Sequence, residues 1–333
     1  MTPLEALDRA IALLDRGFVG GFKAQAFVRA RDVIRELPAE EVEQRSATNT
    51  LTDLPGIGPA TARLIKEALT GSDDIAYLAK LDAETQVPCS PEGRELRAKL
   101  KGDCHSHSLW SDGGAPIETM ARAAMALGHE YLVLTDHSPR LTIAHGLSRE
   151  RLLEQFVELD RLDAAVAPFR ILRGMEVDIL EDGSLDLDDD LLARLDVVVA
   201  SVHSKLRMDR KHMTERMVLA AASPHVDILG HCTGRLIGKR PESVFDADVV
   251  FTACAQFSTA VEINCRPERL DPPDELLDLA VEYGCRFSID SDAHSPGQLE
   301  WQPYGCDKAV KAGIEPERII NTLGADDLLA HVG

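Results

Sequence analysis

The spacing of apolar residues divides the chain into two regions that differ in predicted secondary structure. In the first region, apolar positions recur at helical intervals, and the segment LEALDRAIALLDRG places on one face Leu4, Leu7, Ile11 and Leu14. A glycine follows this segment, as is common at the end of a helix. Residues 1–82 are therefore predicted to form a small all-α domain.

From residue 101 onward, apolar residues occur in short continuous runs separated by helical segments. The runs are YLVLTDH, FRILRGMEVDIL, LDVVVASVH, VDILGH, AVEINC and CRFSIDSDAH. Short apolar runs that alternate with helices indicate buried parallel strands. Six or seven such units fit a TIM-like α/β barrel over residues 101–333 better than a flat sheet. The intervening residues 83–100 are polar, contain two prolines, and are predicted to be a linker.

Candidate metal ligands stand where most of the predicted strands end. There are nine of them, six histidines and three carboxylates: His105, His107, Asp112, His137, Glu176, His203, His231, Asp292 and His294. The carboxyl ends of barrel strands meet on one face, where the active sites of such barrels are built. A single histidine at a strand end is usually an ordinary core or surface residue, but six of the chain's eleven histidines occur in these positions.

Nine ligands exceed the four that one zinc ion usually takes, so the pattern predicts two or three divalent ions. Mixed imidazole and carboxylate ligands favour Zn, Mn or Fe over Mg or Ca. Clustered divalent ions suit phosphoester hydrolysis, because they activate water and neutralise phosphate oxygens. The sequence therefore predicts a hydrolase that acts on phosphate esters.

The charge of the chain is uneven. The net charge is −20; residues 1–100 carry 13 basic and 16 acidic side chains, and the remainder carries 23 basic and 40 acidic ones. The field of the barrel region therefore repels nucleic acid at long range. Contact with DNA would have to be local, assisted by metal, or supplied by the first region.

The chain shows no sign of secretion or of a membrane segment. Its start lacks a basic stretch followed by an apolar run, and no window reaches the roughly 18 apolar residues that a membrane span requires. The seven cysteines form no CxxC pair, so free thiols are expected. A cytoplasmic location without a membrane partner is expected.

The motifs HSHSLWSDG, LTDHS, GMEVDIL, SVHS, GH and DSDAHS resemble, in this order, those of the PHP (polymerase and histidinol phosphatase) domain family. The resemblance implies a distorted (β/α)7 barrel with a trinuclear metal site. It implies three sets of ligands: His105, His107, Glu176 and Asp292; Glu176, His203 and His231; and Asp112, His137 and His294. Glu176 would bridge two ions. The candidates for a direct catalytic role are Glu176, His203 and Asp292, although the last two are also candidates for tuning the metals.

Within that family, the chain is most similar to the C-terminal PHP domain of bacterial family X DNA polymerases. Residues 1–82 also resemble the N-terminal domain of those polymerases, in which LPGIG forms a helix-hairpin-helix. The resemblance implies that Gly56, Ile57 and Gly58 contact a DNA phosphate, supported by Arg63 and Lys66. The polymerase palm is absent between the two regions, which excludes polymerisation, and Leu64 near the position of the lyase lysine argues against lyase activity.

Three functions remain open from the sequence. The first is DNA 3′-end processing, by a 3′-5′ exonuclease or 3′-phosphatase; the second is a small-molecule phosphatase such as a histidinol-phosphatase; the third is a non-catalytic DNA-binding scaffold. Basic residues beside the strand-end motifs are candidates for contacting the substrate phosphate. They are Arg140, Lys205, Arg235 and Arg269.

Overall fold

The structure is a computed structural model that describes residues 1–19, 21–71 and 74–332. The chain divides into two compact units, Met1–Val87 and Pro88–Gly333. In the described part of the chain, no helix combines the length and the apolar character needed to cross a membrane.

The first unit is built from helices. They are α1 (Pro3–Arg16), α2 (Phe22–Glu36), α3 (Ala39–Thr48), α4 (Pro59–Leu69) and α5 (Ala76–Glu84). A capping box starts α1, in which the Thr2 hydroxyl accepts from the Glu5 N–H while the Glu5 carboxylate accepts from the Thr2 N–H. Leu7 and Leu14 of the predicted apolar face lie in the core of this unit, which confirms the helical periodicity.

The second unit alternates strands and helices. The strands are β1 (Gly102–Asp103), β2 (Tyr131–Leu134), β3 (Arg170–Asp178), β4 (Val197–Ser201), β5 (Ile228–Leu229), β6 (Ala260–Asn264) and β7 (Phe287–Asp290). The helices are α6 (Pro91–Arg97), α7 (Ile117–Ala126), α8 (Arg149–Val166), α9 (Asp189–Leu192), α10 (Arg210–Ala221), α11 (Ala247–Phe257), α12 (Asp274–Glu282), α13 (Gln302–Lys311) and α14 (Ala325–Val332).

The seven strands form one parallel sheet in sequence order, β1 to β7. Beyond β1, Ser106 forms a parallel bridge with Ala293 beyond β7, and the His107 N–H donates to the Ala293 carbonyl at 2.8 Å. The two edges therefore meet, and the sheet is a nearly closed barrel. The predicted fold class, a (β/α)7 barrel preceded by a helical domain, is confirmed.

Apolar side chains fill the interior of the barrel below the polar strand ends. One buried cluster takes a residue from most of the strands and joins them to α14, and its strand members include Tyr131, Val133, Leu172, Val199 and Ile228. Because strand side chains alternate between the two faces, this layer fixes which residues of each strand point inward. Of the seven cysteines, six are buried and Cys89 is partly buried, and all are free.

The predicted linker, residues 83–100, differs in the structure. Residues 91–97 form helix α6, and the boundary between the two units lies between Val87 and Pro88. The Asp307 carboxylate accepts from the Ser90 hydroxyl at 2.6 Å and from the Ser90 N–H at 3.0 Å, and the Ser90 hydroxyl in turn caps α6 by accepting from the Gly93 N–H. Asp307, which lies far away in sequence on α13, therefore fixes the start of α6. The polar composition of this segment had suggested a linker without a helix.

We expect Asp307→Ala to destabilise the second unit by about 1–3 kcal/mol, because the partly buried donors of Ser90 would lose their charged acceptor. Both tryptophans, Trp110 and Trp301, lie in this unit, so the measurement is urea unfolding followed by tryptophan fluorescence. The matched control is Glu317→Ala, which removes an exposed carboxylate and should change the unfolding free energy by less than about 0.5 kcal/mol. Equal effects of the two variants would contradict the anchoring role of Asp307.

Candidate metal centre

The nine predicted ligands lie at or just beyond the carboxyl ends of six strands. His105 and His107 follow β1, His137 follows β2, and Glu176 lies in β3 itself. The remaining strand-end ligands follow β4, β5 and β7: His203, His231, Asp292 and His294. Asp112 lies in the loop after β1. The parallel, closed sheet thus brings residues that span 190 positions of sequence to one end of the barrel.

Glu176 occupies the middle of this cluster and is buried. Its Oε2 lies 3.2 Å from His105 Nε2, 3.6 Å from His107 Nε2 and 3.0 Å from His137 Nδ1. Its Oε1 lies 3.1 Å from His203 Nε2 and 2.8 Å from His231 Nε2. Each oxygen of one carboxylate therefore faces a separate set of imidazoles, which is the arrangement that a carboxylate bridging two ions needs.

The other two carboxylates lie on one side of Glu176. Asp112 Oδ1 lies 3.5 Å from His137 Nε2 and 3.4 Å from His294 Nε2. Asp292 Oδ1 lies 3.5 Å from His107 Nε2 and 3.6 Å from His294 Nδ1. Asp112 is the most exposed of the nine, at 33%, so solvent reaches the cluster from its side.

The ligand atoms form three overlapping groups, each compact enough to hold one ion. They are His105, His107 and Asp292; His137, Glu176 and His203; and His107, Asp112, His137 and His294. These groups differ in detail from the sets that the resemblance implied, because His107 and His137 each belong to two groups. His231 is outside the three groups but faces Glu176 directly. His107 and His137 could each bind an ion in either of two neighbouring groups, since the two nitrogens of each ring point in different directions.

Several buried ring nitrogens of the cluster have no hydrogen-bond partner among the described residues. They are Nε2 of His105, both ring nitrogens of His107, Nδ1 of His137 and Nδ1 of His231. Buried polar atoms are almost always hydrogen-bonded, so a group of bare nitrogens around carboxylates fits divalent metal ions. The donor set of imidazole and carboxylate suits the predicted Zn, Mn or Fe.

The electrostatics of the cluster also favour positive charge at its centre. Burial alone would raise the pKa of Glu176, but the charges of His203, His105 and His137 hold it well below its usual range. Burial would lower the pKa of His203, but Glu176 and Asp178 raise it to about 9. Burial, together with neighbouring His294 and His137, lowers the pKa of His107 to about 3. One buried carboxylate thus remains ionised in the middle of the imidazoles.

Two buried carboxylates behind the ligands were missed by the sequence analysis. Glu262 Oε1 lies 2.6 Å from His105 Nδ1, and Asp178 Oδ1 lies 2.5 Å from His203 Nδ1. Both are on the opposite side of the imidazole from Glu176, so they orient the rings rather than contact the centre. A signal existed for Asp178, because it follows Glu176 at the two-residue spacing that places side chains on the same face of β3. Glu262 lies two residues before the end of β6, on the same face as the last residue of the strand. The apolar run that forms β6 was the one run without a predicted ligand at its end.

Of the predicted phosphate-binding residues, Arg269 reaches the cluster. Its Nε lies 3.2 Å from Asp292 Oδ2, and its Nε and Nη1 are buried without hydrogen-bond acceptors in the described structure. Arg266, which the sequence analysis did not single out, places Nη1 at 3.4 Å from His294 Nδ1. Two guanidinium groups therefore lie beside the ligands of one side of the cluster.

Arg235, unlike Arg269, directs its donors to backbone carbonyl groups. Its Nε donates to the carbonyl of Arg269 at 2.7 Å and its Nη2 donates to the carbonyl of Leu270 at 2.6 Å. Its donors therefore hold the segment that carries Arg269. Lys205 and Arg140 are more exposed, and each lies near an acidic side chain, Glu181 at 3.9 Å and Asp186 at 3.8 Å, respectively.

The predicted hairpin lies in the first unit, between a short 3₁₀ turn (Leu51–Asp53) and α4. Gly56 has φ +95°, a conformation that side chains other than glycine rarely adopt. The Ile57 N–H donates to the Leu54 carbonyl and the Gly58 N–H donates to the Thr61 hydroxyl, whereas in the described structure the Gly56 N–H has no acceptor.

The two basic residues expected to support the hairpin are already engaged. Arg63 Nε donates to Glu67 Oε1 at 2.7 Å, and Lys66 Nζ donates to the Asn49 side-chain oxygen. Contact with a phosphate at this turn would therefore rely mainly on backbone amides.

Two family models match the chain. The PHP domain model matches residues 103–265, and the SAM-like helix-hairpin-helix tandem model matches residues 9–70 and 48–86. The first match covers β1 to β6 and seven of the nine ligands. The second covers the predicted hairpin.

The curated relatives include a polymerase and phosphatases. The DNA polymerase/3′-5′ exonuclease PolX of Bacillus subtilis (strain 168) is 42% identical over 234 residues, which cover 70% of this chain and 41% of that protein. The chain thus spans about two fifths of the length of this relative. A protein of Thermoanaerobacter sp. (strain X514), described as a "Probable phosphatase", is 30% identical over 237 residues, covering 67% of this chain and 91% of the relative.

Among solved structures, histidinol phosphate phosphatase of Lactococcus lactis, complexed with zinc, L-histidinol and phosphate, matches with a TM-score of 0.47 and 19% identity, covering 65% of this chain and 95% of that one. The family assignment rests on the sequence matches and on the barrel with its cluster of metal ligands. The chain belongs to the PHP domain family of metal-dependent phosphoester hydrolases.

Proposed function

We propose that this protein processes DNA 3′ ends, as a 3′-5′ exonuclease or as a 3′-phosphatase. The proposal rests on the presence, in one chain, of a candidate metal centre of the phosphoesterase type and a helix-hairpin-helix in which the Gly56 N–H has no acceptor among the described residues. The similarity to the DNA polymerase/3′-5′ exonuclease PolX of B. subtilis supports the same substrate class.

At the metal centre, divalent ions would supply an activated water and neutralise phosphate oxygens. The chain's own residues have separable tasks. Glu176 presents one oxygen to each of two sets of histidines and so fixes the spacing of the cluster. Arg269, whose buried Nη1 has no acceptor among the described residues, is placed to donate to a phosphate oxygen of the substrate. Asp292, which lies 3.2 Å from Arg269, orients that guanidinium.

In the helical unit, the Gly56 N–H and the first amides of α4 are available to a DNA phosphate. The first N–H groups of any helix lack intrahelical acceptors and carry partial positive charge. α4 starts at Pro59 directly after the hairpin, so the unpaired amides lie close together in sequence. A backbone grip of this kind is independent of base identity, as an end-processing enzyme requires.

The acidity of the barrel region favours a second candidate, a small-molecule phosphatase with histidinol phosphate as a possible substrate. Residues 101–333 carry 40 acidic and 23 basic side chains, and such a field penalises a long polyanion more than a small ester. The phosphatase relative that the chain covers over 91% of its length is consistent with this alternative.

Direct comparison of substrates separates the two candidates. We expect the full chain, loaded with Mn²⁺, to shorten or dephosphorylate a 3′-labelled oligonucleotide with a higher kcat/KM than it shows for histidinol phosphate. Faster turnover of histidinol phosphate than of any oligonucleotide end would contradict the DNA proposal and support the small-molecule phosphatase.

We expect His107→Ala to lower hydrolysis of every substrate by at least ~100-fold and to reduce the number of bound ions, because His107 faces Glu176, Asp292 and Asp112. The measurements are kcat/KM and metal content by mass spectrometry. The matched control is His212→Ala, since His212 is exposed on α10 and pairs with Asp209. Full activity of the His107→Ala variant would contradict the hypothesis that this cluster hydrolyses the substrate.

We expect Gly56→Ala to raise KM for an oligonucleotide several-fold while hydrolysis of p-nitrophenyl phosphate is unchanged, because a side chain at φ +95° strains the hairpin. Gly71→Ala is the matched control, since Gly71 also has a positive φ, +72°, but follows α4 instead of preceding it. Measurement of KM for both variants tests the hairpin. An equal rise in both would point to general strain in the unit.

A further inference from the structure

We propose that Glu262 is the positioning residue that fixes the proton of His105 and thereby prepares this histidine, together with His231, for metal binding. The inference rests on the metal-binding role of the cluster and not on the identity of the substrate. Glu262 lies in the middle of β6, is fully buried, and belongs to the strand whose end carries no predicted ligand.

The Glu262 carboxylate is surrounded by three hydrogen-bond donors. His105 Nδ1 lies 2.6 Å from Oε1. The backbone N–H of His231 donates to Oε2 at 2.5 Å, and Asn264 Nδ2 donates to the same oxygen at 3.2 Å. Oε2 is thus occupied by two N–H donors, and Oε1 is left to accept from an Nδ1–H of His105.

This arrangement determines the tautomer of His105. A neutral imidazole carries one proton, and the nitrogen without the proton is the one that can bind a metal. Since Glu262 accepts from Nδ1, the lone pair lies on Nε2, which faces Glu176 Oε2 at 3.2 Å. Glu262 thus points the free electron pair of His105 toward the centre.

The same carboxylate connects two sides of the cluster. Through the backbone of His231 it fixes a residue that faces the other oxygen of Glu176, and Asn264 also donates to Asp292 Oδ2 at 3.1 Å. Glu262 and Asn264 therefore hold His105, His231 and Asp292 from behind.

Glutamine at position 262 has nearly the same shape but only one acceptor oxygen. If its NH2 group faced the His231 side, it would oppose a backbone N–H that cannot change its role. Asn264 could adapt only by turning its oxygen toward Asp292, and it would then also lose the bond that its oxygen accepts from the Arg266 N–H. The NH2 group must therefore face His105 Nδ1 and move the histidine proton to Nε2, where it blocks metal binding.

Asp178 provides a matched comparison. It also accepts from a ligand histidine, His203 Nδ1 at 2.5 Å, but in the described structure its carboxylate has this one hydrogen-bond donor. In Asp178→Asn the amide oxygen still accepts from His203, because no second donor competes for it. The two variants remove the same charge but differ in the number of donors left without an acceptor.

We expect Glu262→Gln to bind Zn²⁺ about 10- to 100-fold more weakly than the wild type, and Asp178→Asn to lose less than about 10-fold. Zinc titration and metal content measure this directly. In zinc-saturated protein labelled with ¹⁵N-histidine, the NMR spectrum should show the His105 proton on Nδ1 in the wild type and on Nε2 in Glu262→Gln.

Several outcomes would overturn the inference. These are wild-type zinc affinity in Glu262→Gln, equal losses in the two variants, and a His105 proton on Nε2 in the zinc-loaded wild type. The last result is obtained with the wild type alone, so it tests the inference even if Glu262→Gln does not fold. Wild-type protein that binds no zinc would remove the metal centre itself, whereas failure of the DNA proposal would leave these measurements unaffected.

Discussion

The contacts of the buried Glu176 carboxylate with the surrounding imidazoles organise the polar end of the barrel. Five imidazoles from four strand ends face its two oxygens at 2.8 to 3.6 Å. This geometry requires parallel strands in the observed register and a sheet whose edges meet, because a shift by one residue would turn a ligand outward. A buried negative charge in turn needs positively charged partners, which protonated imidazoles or bound divalent ions can supply.

The two units differ in charge and in the chemistry that they offer. The barrel combines its catalytic cluster with a strong excess of acidic residues, which keeps polyanions away except where arginines and metal ions balance the charge. The helical unit is near neutral and offers backbone amides at a glycine turn. In the function that we propose, affinity for DNA and hydrolysis of an ester would thus have separate structural sources.

Much of the fold could be predicted because its signals are local. Six apolar runs correspond to β2 through β7, and the helical periodicity of α1 reflects its buried face. The elements β1 and α6 were not predicted, because the contacts that stabilise them are not local in sequence. β1 has only two residues and owes its place to pairing with β2, and α6 is capped through Ser90 by Asp307, which lies more than 200 residues away.

The fold class and the nine residues that gather at the barrel end could be inferred from the amino-acid sequence alone, because parallel strands must bring their carboxyl ends together. Only the folded molecule shows how these residues are shared among three overlapping groups, and that Arg235 donates hydrogen bonds to the backbone of the segment that carries Arg269. It also revealed Glu262 and Asp178 behind the ligands. The physical reason is that hydrogen-bond partners and the direction of a ring nitrogen depend on atoms from distant strands, which residue spacing does not specify.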